Sequence, residues 1–454
     1  MRTQTMEQPY FNFSRPSSTK VVREYRAKYE AIGQILETNA QVVALAHRDF
    51  CKYLSISATG RQGQYTSQQI LRALVVMFVE GDSFRDVVIR IDNSEFLQCF
   101  VGLGIQPTMD FSFLSKAHSA LSQATWQAMN AALAEYARQE EKIGGEKLRL
   151  DTTVYESNIH YPTDSSLLWD SFRTLARVVR RVQQELPQLG VNHRFHTKKI
   201  KKLACFIARN AGSKSGSKKR KVKSTYRKLI ERVRWIAGVS QEVLGWAHAA
   251  GYEVEELEDY LPLVERMVDQ AHQRVIEGVA VPAEEKLYRL FEAHTELLKR
   301  GKAGKPVEFG HKVLIAQTGE KFIHHYEVLP RRREDVELLR PTLQAHRRLF
   351  GANPEVVATD KGFYESMKQV AKLEEEIATV SICKKGRRNE QEVHRESTEA
   401  FQEGQRFRAG VEGSISVLKR AFKLGRCFFK GFKNYAASVG CAIFCHNLVL
   451  LTRL

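Results

Sequence analysis

A chain of 454 residues, 43% hydrophobic and 27% charged, is long enough for two or three domains and too apolar to be intrinsically disordered. Its formal net charge of +18 points to a polyanionic partner, nucleic acid ahead of an anionic membrane surface. Seven scattered cysteines with no C-x-x-C pair argue against a disulfide framework and a zinc ribbon and suit a reducing cytosol.

MRTQTMEQPYFNF lacks the apolar stretch of a secretory signal, and residues 1 to about 20 read as a loose arm. Val21 to Thr38 and Ala40 to Leu54 read as helices, and Gly60 to Tyr65 as a loop. Short helices follow, each with a polar residue able to cap it: Thr66 or Ser67, Ser83, Asn93 or Ser94, and Asp110 or Ser112. This all-helical unit, residues 1–145, is read as a domain for DNA binding or dimerisation. A helix–turn–helix and a plain packing domain fit the pattern equally, because tight turns join packed helices everywhere.

Lys147 to Glu156, KLRLDTTVYE, reads as a short, largely buried strand carrying Asp151. A carboxylate there is costly unless something positive meets it. Taken alone, Asp151 is better explained by a strand-end cap or turn than by a metal ligand. After Pro162, a long helix begins near Ser166 with Thr163 or Asp164 as its cap. The segment from His196 to Trp235 is the most basic in the chain, with Glu231 as its only acid. Within it, GSKSGSKKRK reads as a mobile loop or frayed helix. Its cations, including Lys198, Lys199, Lys201, Lys202, Lys218, Lys219, Arg220 and Lys221, are candidates for contact with a phosphate backbone. A solvated face is the plainer reading of any charge run. Helical patterns resume through AEEKLYRLFEAHTELLKRG.

GKAGKPVEF, residues 301–309, reads as a boundary after which the period becomes strand-like. HKVLIAQTGEKFIHHYEVL is a hairpin turning at Thr318-Gly319, ELLRPTLQAHRRLFG a helix stopped by Gly351, and EVVATDKGFY a strand closing on Asp360. A helix (YESMKQVAKLEEE), a buried strand (IATVSIC), a charged loop (KKGRRNEQEVHREST) and a helix bearing Glu412 come next. The last element, Ala436 to Leu451, reads as a buried core helix interrupted by His446 and Asn447, too short to span a bilayer.

With residues 157–305 set aside as a helical, basic insertion, the remainder (146–156 and 306–454) runs strand, strand, strand, helix, strand, helix, strand, helix. This is the order of a ribonuclease H-like α/β domain. In it the first and fourth strands are neighbours and a later helix crosses their ends, so Asp151, Asp360 and Glu412 are expected to converge. Carboxylates suit hard Mg²⁺ or Mn²⁺. Two such ions about 3.5–4 Å apart activate the attacking oxygen and stabilise the leaving one in phosphoryl transfer.

Four stretches, RLDTTVYESNIHYPTDSSLLWD, GKPVEFGHKVLI, VVATDKGFY and FRAGVEGSISVLKRAFKLGR, resemble DDE transposases of bacterial insertion sequences, most closely the ISNCY group. Arg408, Glu412 and Lys419 are spaced R-x3-E-x6-K as in the family signature, with Gln405 where the family carries a tyrosine. The resemblance implies an enzyme of transposition and DNA recombination in which Asp151, Asp360 and Glu412 bind two Mg²⁺ or Mn²⁺ ions. Arg408 and Lys419 would hold DNA phosphates. It further implies a homodimer on double-stranded DNA, engaging terminal inverted repeats and target DNA, in the bacterial cytoplasm at the nucleoid and without a membrane. A transposase-derived DNA-binding protein that does not cut, or a ribonuclease H-like nuclease without strand transfer, are the other readings. An intact triad disfavours the first of these.

Overall fold

The computed structural model describes residues 19–54, 64–302 and 305–454, so the expected N-terminal arm and most of the 60–65 loop lie outside the described residues. The chain divides into two compact units, one of residues 1–156 and 311–454, the other of residues 157–310.

The first unit opens with seven helices: α1 (Lys20–Thr38), α2 (Ala40–Tyr53), α3 (Ser67–Val79), α4 (Phe84–Asp92), α5 (Glu95–Val101), α6 (Phe111–Ala120) and α7 (Gln123–Gln139). Their starts follow the polar residues read from the sequence. Thr66 and Ser83 close capping boxes, and Ser94 and Asp110 accept from backbone N–H groups of the first turn. α3 is buried along nearly its whole length, with Arg72 inside the core donating to the Phe100 carbonyl at 2.7 Å. These helices share one apolar core with the C-terminal helix α16 (Gly431–Leu451).

By length and composition α16 can cross a membrane, but 89% of its most apolar window is buried inside the protein. At 21 residues it is longer than the sequence reading allowed, and burial identifies it as a core helix. Asn447 completes the core. Its amide donates to the Ile323 carbonyl (2.8 Å) and accepts from the Ile323 N–H (3.1 Å), acting as a strand partner.

The strands of this unit are β1 (Lys147–Ser157), the end of β3 (Lys305–Gln317), β4 (Ile323–Val328), β5 (Val356–Thr359), β6 (Thr379–Ile382) and β7 (Arg426–Cys427); β2 (Glu296–Lys302) belongs to the second unit. The order across the sheet is β3-β1-β5-β6, with β4 paired to β3 and β7 to β1. β3 and β4 are antiparallel, whereas β1–β5 and β5–β6 are parallel. The crossover helices are α12 (Val336–Phe350), stopped by Gly351 at φ 78°, and α13 (Met367–Glu374). α14 (Glu390–Ser397) and α15 (Glu399–Ala421) follow β6.

α14 occupies the stretch read as a charged loop. Asn389 and Glu392 close a capping box, and the fully buried Glu392 is held by Tyr364 and Lys384, so tertiary partners convert a polar string into a helix.

The second unit packs α8 (Asp164–Glu185), α9 (Thr197–Asn210), α10 (Gly216–Ala249) and α11 (Glu255–Ala271) about its own core. Three expectations change here. GSKSGSKKRK is largely helical: α10 starts at Gly216 because Lys and Arg are good helix formers and Tyr226, Leu229, Ile230 and Val233 anchor its inner face. AEEKLYRLFEAHTELLKRG is not a helix but a run of turns leading into β2, because the Gln270 side chain takes the Leu287 N–H at 2.9 Å and Leu287 and Leu290 are buried individually. The strand-like structure begins before the GKAGKPVEF boundary rather than after it, because β2 and the start of β3 already pair antiparallel there.

Candidate active site

The parallel register of β1 and β5 sets the site. Leu148 lies opposite Val357, Arg149 opposite Ala358 and Leu150 opposite Thr359. The next residue along each segment is an aspartate, Asp151 within β1 and Asp360 immediately past the end of β5, so the parallel register places the two beside each other where β5 ends. Ligands of open α/β sheets bind at this end.

Each aspartate is fixed by backbone. Asp151 Oδ1 accepts from the Thr152 N–H at 2.7 Å, and Asp360 Oδ1 accepts from the Gly362 N–H at 2.9 Å. Burial pushes the Asp360 carboxyl above its ordinary value; the Gly362 N–H opposes this, nearby Asp335 adds to it, and Arg408 and Lys312 oppose it. Asp335 is a fourth acid that the sequence reading missed. A Cβ on Gly362 would come within 2.7 Å of its Oδ2 and 3.0 Å of Asp360 Oδ1, so the glycine lets the two carboxylates approach. Lys312 Nζ balances Asp335 at 2.9 Å. Neither residue carried a sequence signal: Asp335 sits in the charged run RRREDVE, and Lys312 alternates with apolar residues on β3.

α15 brings the third acid. Gln405, Arg408, Glu412 and Lys419 fall within about 60° of one another on this helix at 100° per residue. The stripe starts against the strand ends, where the Gln405 amide donates to the Ser381 carbonyl (2.8 Å), its Oγ (3.0 Å) and the Thr359 carbonyl (3.4 Å). Gln405 therefore anchors the helix to β5 and β6 at the position where the family signature has tyrosine. Arg408, three residues on, acts on the Asp360 carboxylate and bonds Glu412 at 3.1 Å. The Glu412 carboxylate is exposed and turned toward Arg408, and Lys419 is half-buried further along. Among the described residues no three of His, Cys, Asp and Glu form a group that could hold a metal ion. The structure thus brings Asp151 and Asp360 together and leaves Glu412 one arginine away.

Arg149, two residues before Asp151 and so on the same face of β1, ties the strand to this helix. It is 3% exposed, donates to the Phe407 carbonyl (3.0 Å) and the Gln317 side chain (3.1 Å), and lies 4.8 Å from the Phe407 ring centre. Gly410 packs directly on its guanidinium. A charged residue in the middle of a buried strand was the signal available for it.

The basic candidates Lys198, Lys199, Lys201 and Lys202 are exposed on α9, and Lys218, Lys219, Arg220 and Lys221 are exposed on the first turns of α10, in the second unit.

Residues 276–448 match the family model described as a transposase DDE domain. The matched stretch includes Asp335, Asp360, Arg408, Glu412 and Lys419 and begins after Asp151. It supports a DDE transposase, and with it DNA transposase activity in general. No curated protein and no solved structure matches the chain.

Proposed function

We propose that this protein is a DNA transposase of the ISNCY-like type that hydrolyses a phosphodiester bond at the ends of its element and transfers the freed 3′-hydroxyl into target DNA. The observation that carries the reading is the Asp151–Asp360 pair, set beside each other by the parallel register of β1 and β5, with the helix that carries Arg408 and Glu412 seated on the same strands. The strand order with β1 central, the antiparallel β3–β4 pair on one side and the parallel β5 and β6 on the other, supports a ribonuclease H-like catalytic domain.

The donor set fits hard divalent ions. Asp151 and Asp360 offer carboxylate oxygens at one edge, and burial and Asp335 make the Asp360 charge costly in the absence of a cation. Asp151, Asp360 and Glu412 would hold Mg²⁺ or Mn²⁺. When bound, two such ions would polarise the phosphate, lower the pKa of the attacking water and stabilise the leaving oxygen. Asp151 and Asp360 give the site its fixed edge, because one sits within β1, the other caps the turn that directly follows β5, and both carboxylates are tethered to backbone N–H groups. Glu412 would join them by turning its side chain away from Arg408, which would free that guanidinium for a DNA phosphate. Lys419 adds a second positive charge on the same stripe. A homodimer on double-stranded DNA would supply one such site for each end of the element.

Asp360→Asn keeps the shape of the site and removes a charge. The variant is expected to lose Mg²⁺-dependent cleavage of element-end DNA while its DNA affinity stays within a few-fold of the parent. Cleavage at the parental rate would remove Asp360, and the active site with it, from this reading.

A further inference from the structure

Resting on the reading that DNA is the partner, we propose that the outer face of the α9–α10 hairpin in the second unit grips the phosphate backbone of duplex DNA without reading its sequence. Residues 196–235 hold fifteen Lys and Arg against the single acid Glu231, so they account for most of the chain's net +18. Among the described residues, the one ion pair these cations make is Arg234 with Asp269, at 4.0 Å.

The cations are arranged on surfaces rather than scattered. On α9, Ile200, Ala204 and Ile207 face the core, and Lys198, Lys202 and Arg209 form a stripe about 40° wide on the opposite side. On α10, Tyr226, Leu229, Ile230 and Val233 face the core, and Arg220, Arg227 and Lys228 lie opposite, within about 100°. Lys221 Nζ lies 5.5 Å from the Phe206 ring centre. Because Phe206 borders the α9 stripe and Lys221 borders the α10 stripe, the two stripes meet on one outer surface. Trp235 extends the α10 stripe, is exposed, and is braced by Phe195 at 5.9 Å.

The start of α10 adds an independent reason. Helix N-termini favour anions, yet this one has no acidic residue in its first turn and no side-chain cap. Instead it carries Lys218, Lys219, Arg220 and Lys221, which repel one another and the positive end of the helix dipole. Phosphates along a DNA strand relieve both repulsions. Contact to phosphate alone carries no base information, so the binding is salt-sensitive and sequence-blind.

The test uses the full chain with Lys198, Lys202, Arg209, Arg220, Arg227 and Lys228 all changed to Gln. Its affinity for a DNA duplex unrelated to the element is measured across salt concentrations. Each cation that meets a phosphate contributes about 0.9 to the slope of log affinity against log salt, so the slope is expected to fall by about 5 if all six do. A charge-keeping variant (Lys to Arg and Arg to Lys at the same positions) is expected to retain the parental slope, which separates charge from folding. Changing the exposed Lys368, Lys372, Lys385 and Arg387 of the first unit to Gln serves as the comparison. The proposal is overturned if the six-fold variant keeps the parental slope, if the comparison variant loses as much per charge removed, or if an RNA duplex binds more tightly than DNA. The readout is independent of cleavage. A reduced slope in a chain that never cleaves would leave this surface standing and remove the catalytic reading; cleavage with an unchanged slope would do the reverse.

Discussion

Gly410→Ala tests how the Glu412 helix is seated. A Cβ at this position would stand 2.3 Å from Arg149 Nη1 and 3.3 Å from its Cζ, about 1 Å short of ordinary contact. Arg149 has nowhere to go, being 3% exposed and tied to the Phe407 carbonyl and to Gln317. Either the charged hydrogen bond to Phe407 breaks, at about 1.5–3 kcal/mol, or α15 moves off β1 by about 1 Å. Against this, Gly→Ala in a helix interior gains about 1 kcal/mol. The net expectation is a loss of about 0.5–2 kcal/mol in urea unfolding. A 1 Å displacement of the helix carrying Glu412 can also lower cleavage by about 100-fold. Gly413→Ala is the internal control: nothing lies within 4 Å of its Cβ position, so it is expected to gain up to about 1 kcal/mol. If Gly410→Ala proves as stable as Gly413→Ala, Arg149 does not clamp α15 as described.

Three further substitutions probe the frame around the site. Gln405→Ala removes the bonds to Ser381 and is expected to cost about 1–3 kcal/mol of stability in denaturant titration; an unchanged midpoint would show that α15 does not depend on this anchor. Asn447→Leu leaves the Ile323 N–H and carbonyl buried without their partner and is expected to cost about 2–5 kcal/mol, read by thermal unfolding; a shift within error would exclude the strand-mimic role. His118 lies buried against Phe429, and burial, with Lys423 adding, holds its pKa down to about 3 from an ordinary 6.5. A depressed folded-state value means the unfolded chain binds the proton more readily. Stability is therefore fullest above about pH 6.5 and declines as pH falls toward 3, by about 5 kcal/mol at most from this group. His118→Phe is expected to flatten this decline by the equivalent of one proton, and parallel pH profiles for parent and variant would refute it.

Local chemistry made much of the chain legible. Ser83 starts the helix it was read to start, and Thr66, Ser94, Asp110 and Thr163 prove to be the capping member of the pairs read for theirs, because an N-terminal cap depends on a few neighbouring residues. The strand carrying Asp151, the hairpin after residue 310 and the strand ending at Asp360 follow from period and turn residues. Where the reading failed, distant partners had decided. The 283–301 stretch has a helical pattern but is bound as turns by Gln270 and then as strand β2; the 390–397 stretch lacks an apolar pattern but folds as α14 around a buried Glu392.

The site divides in the same way. The sequence by itself determined which acids were candidates, and the i, i+4 spacing that joins Arg408 to Glu412, because both are local patterns. Tertiary structure decided that Asp151 and Asp360 are neighbours, through a parallel register between segments some 200 residues apart. It also decided that Asp335 and Lys312 flank them and that Arg149 and Gln405 seat the Glu412 helix. Those four residues act through the backbone and side chains of other segments, and no local pattern encodes contacts that exist only once the sheet and α15 have packed.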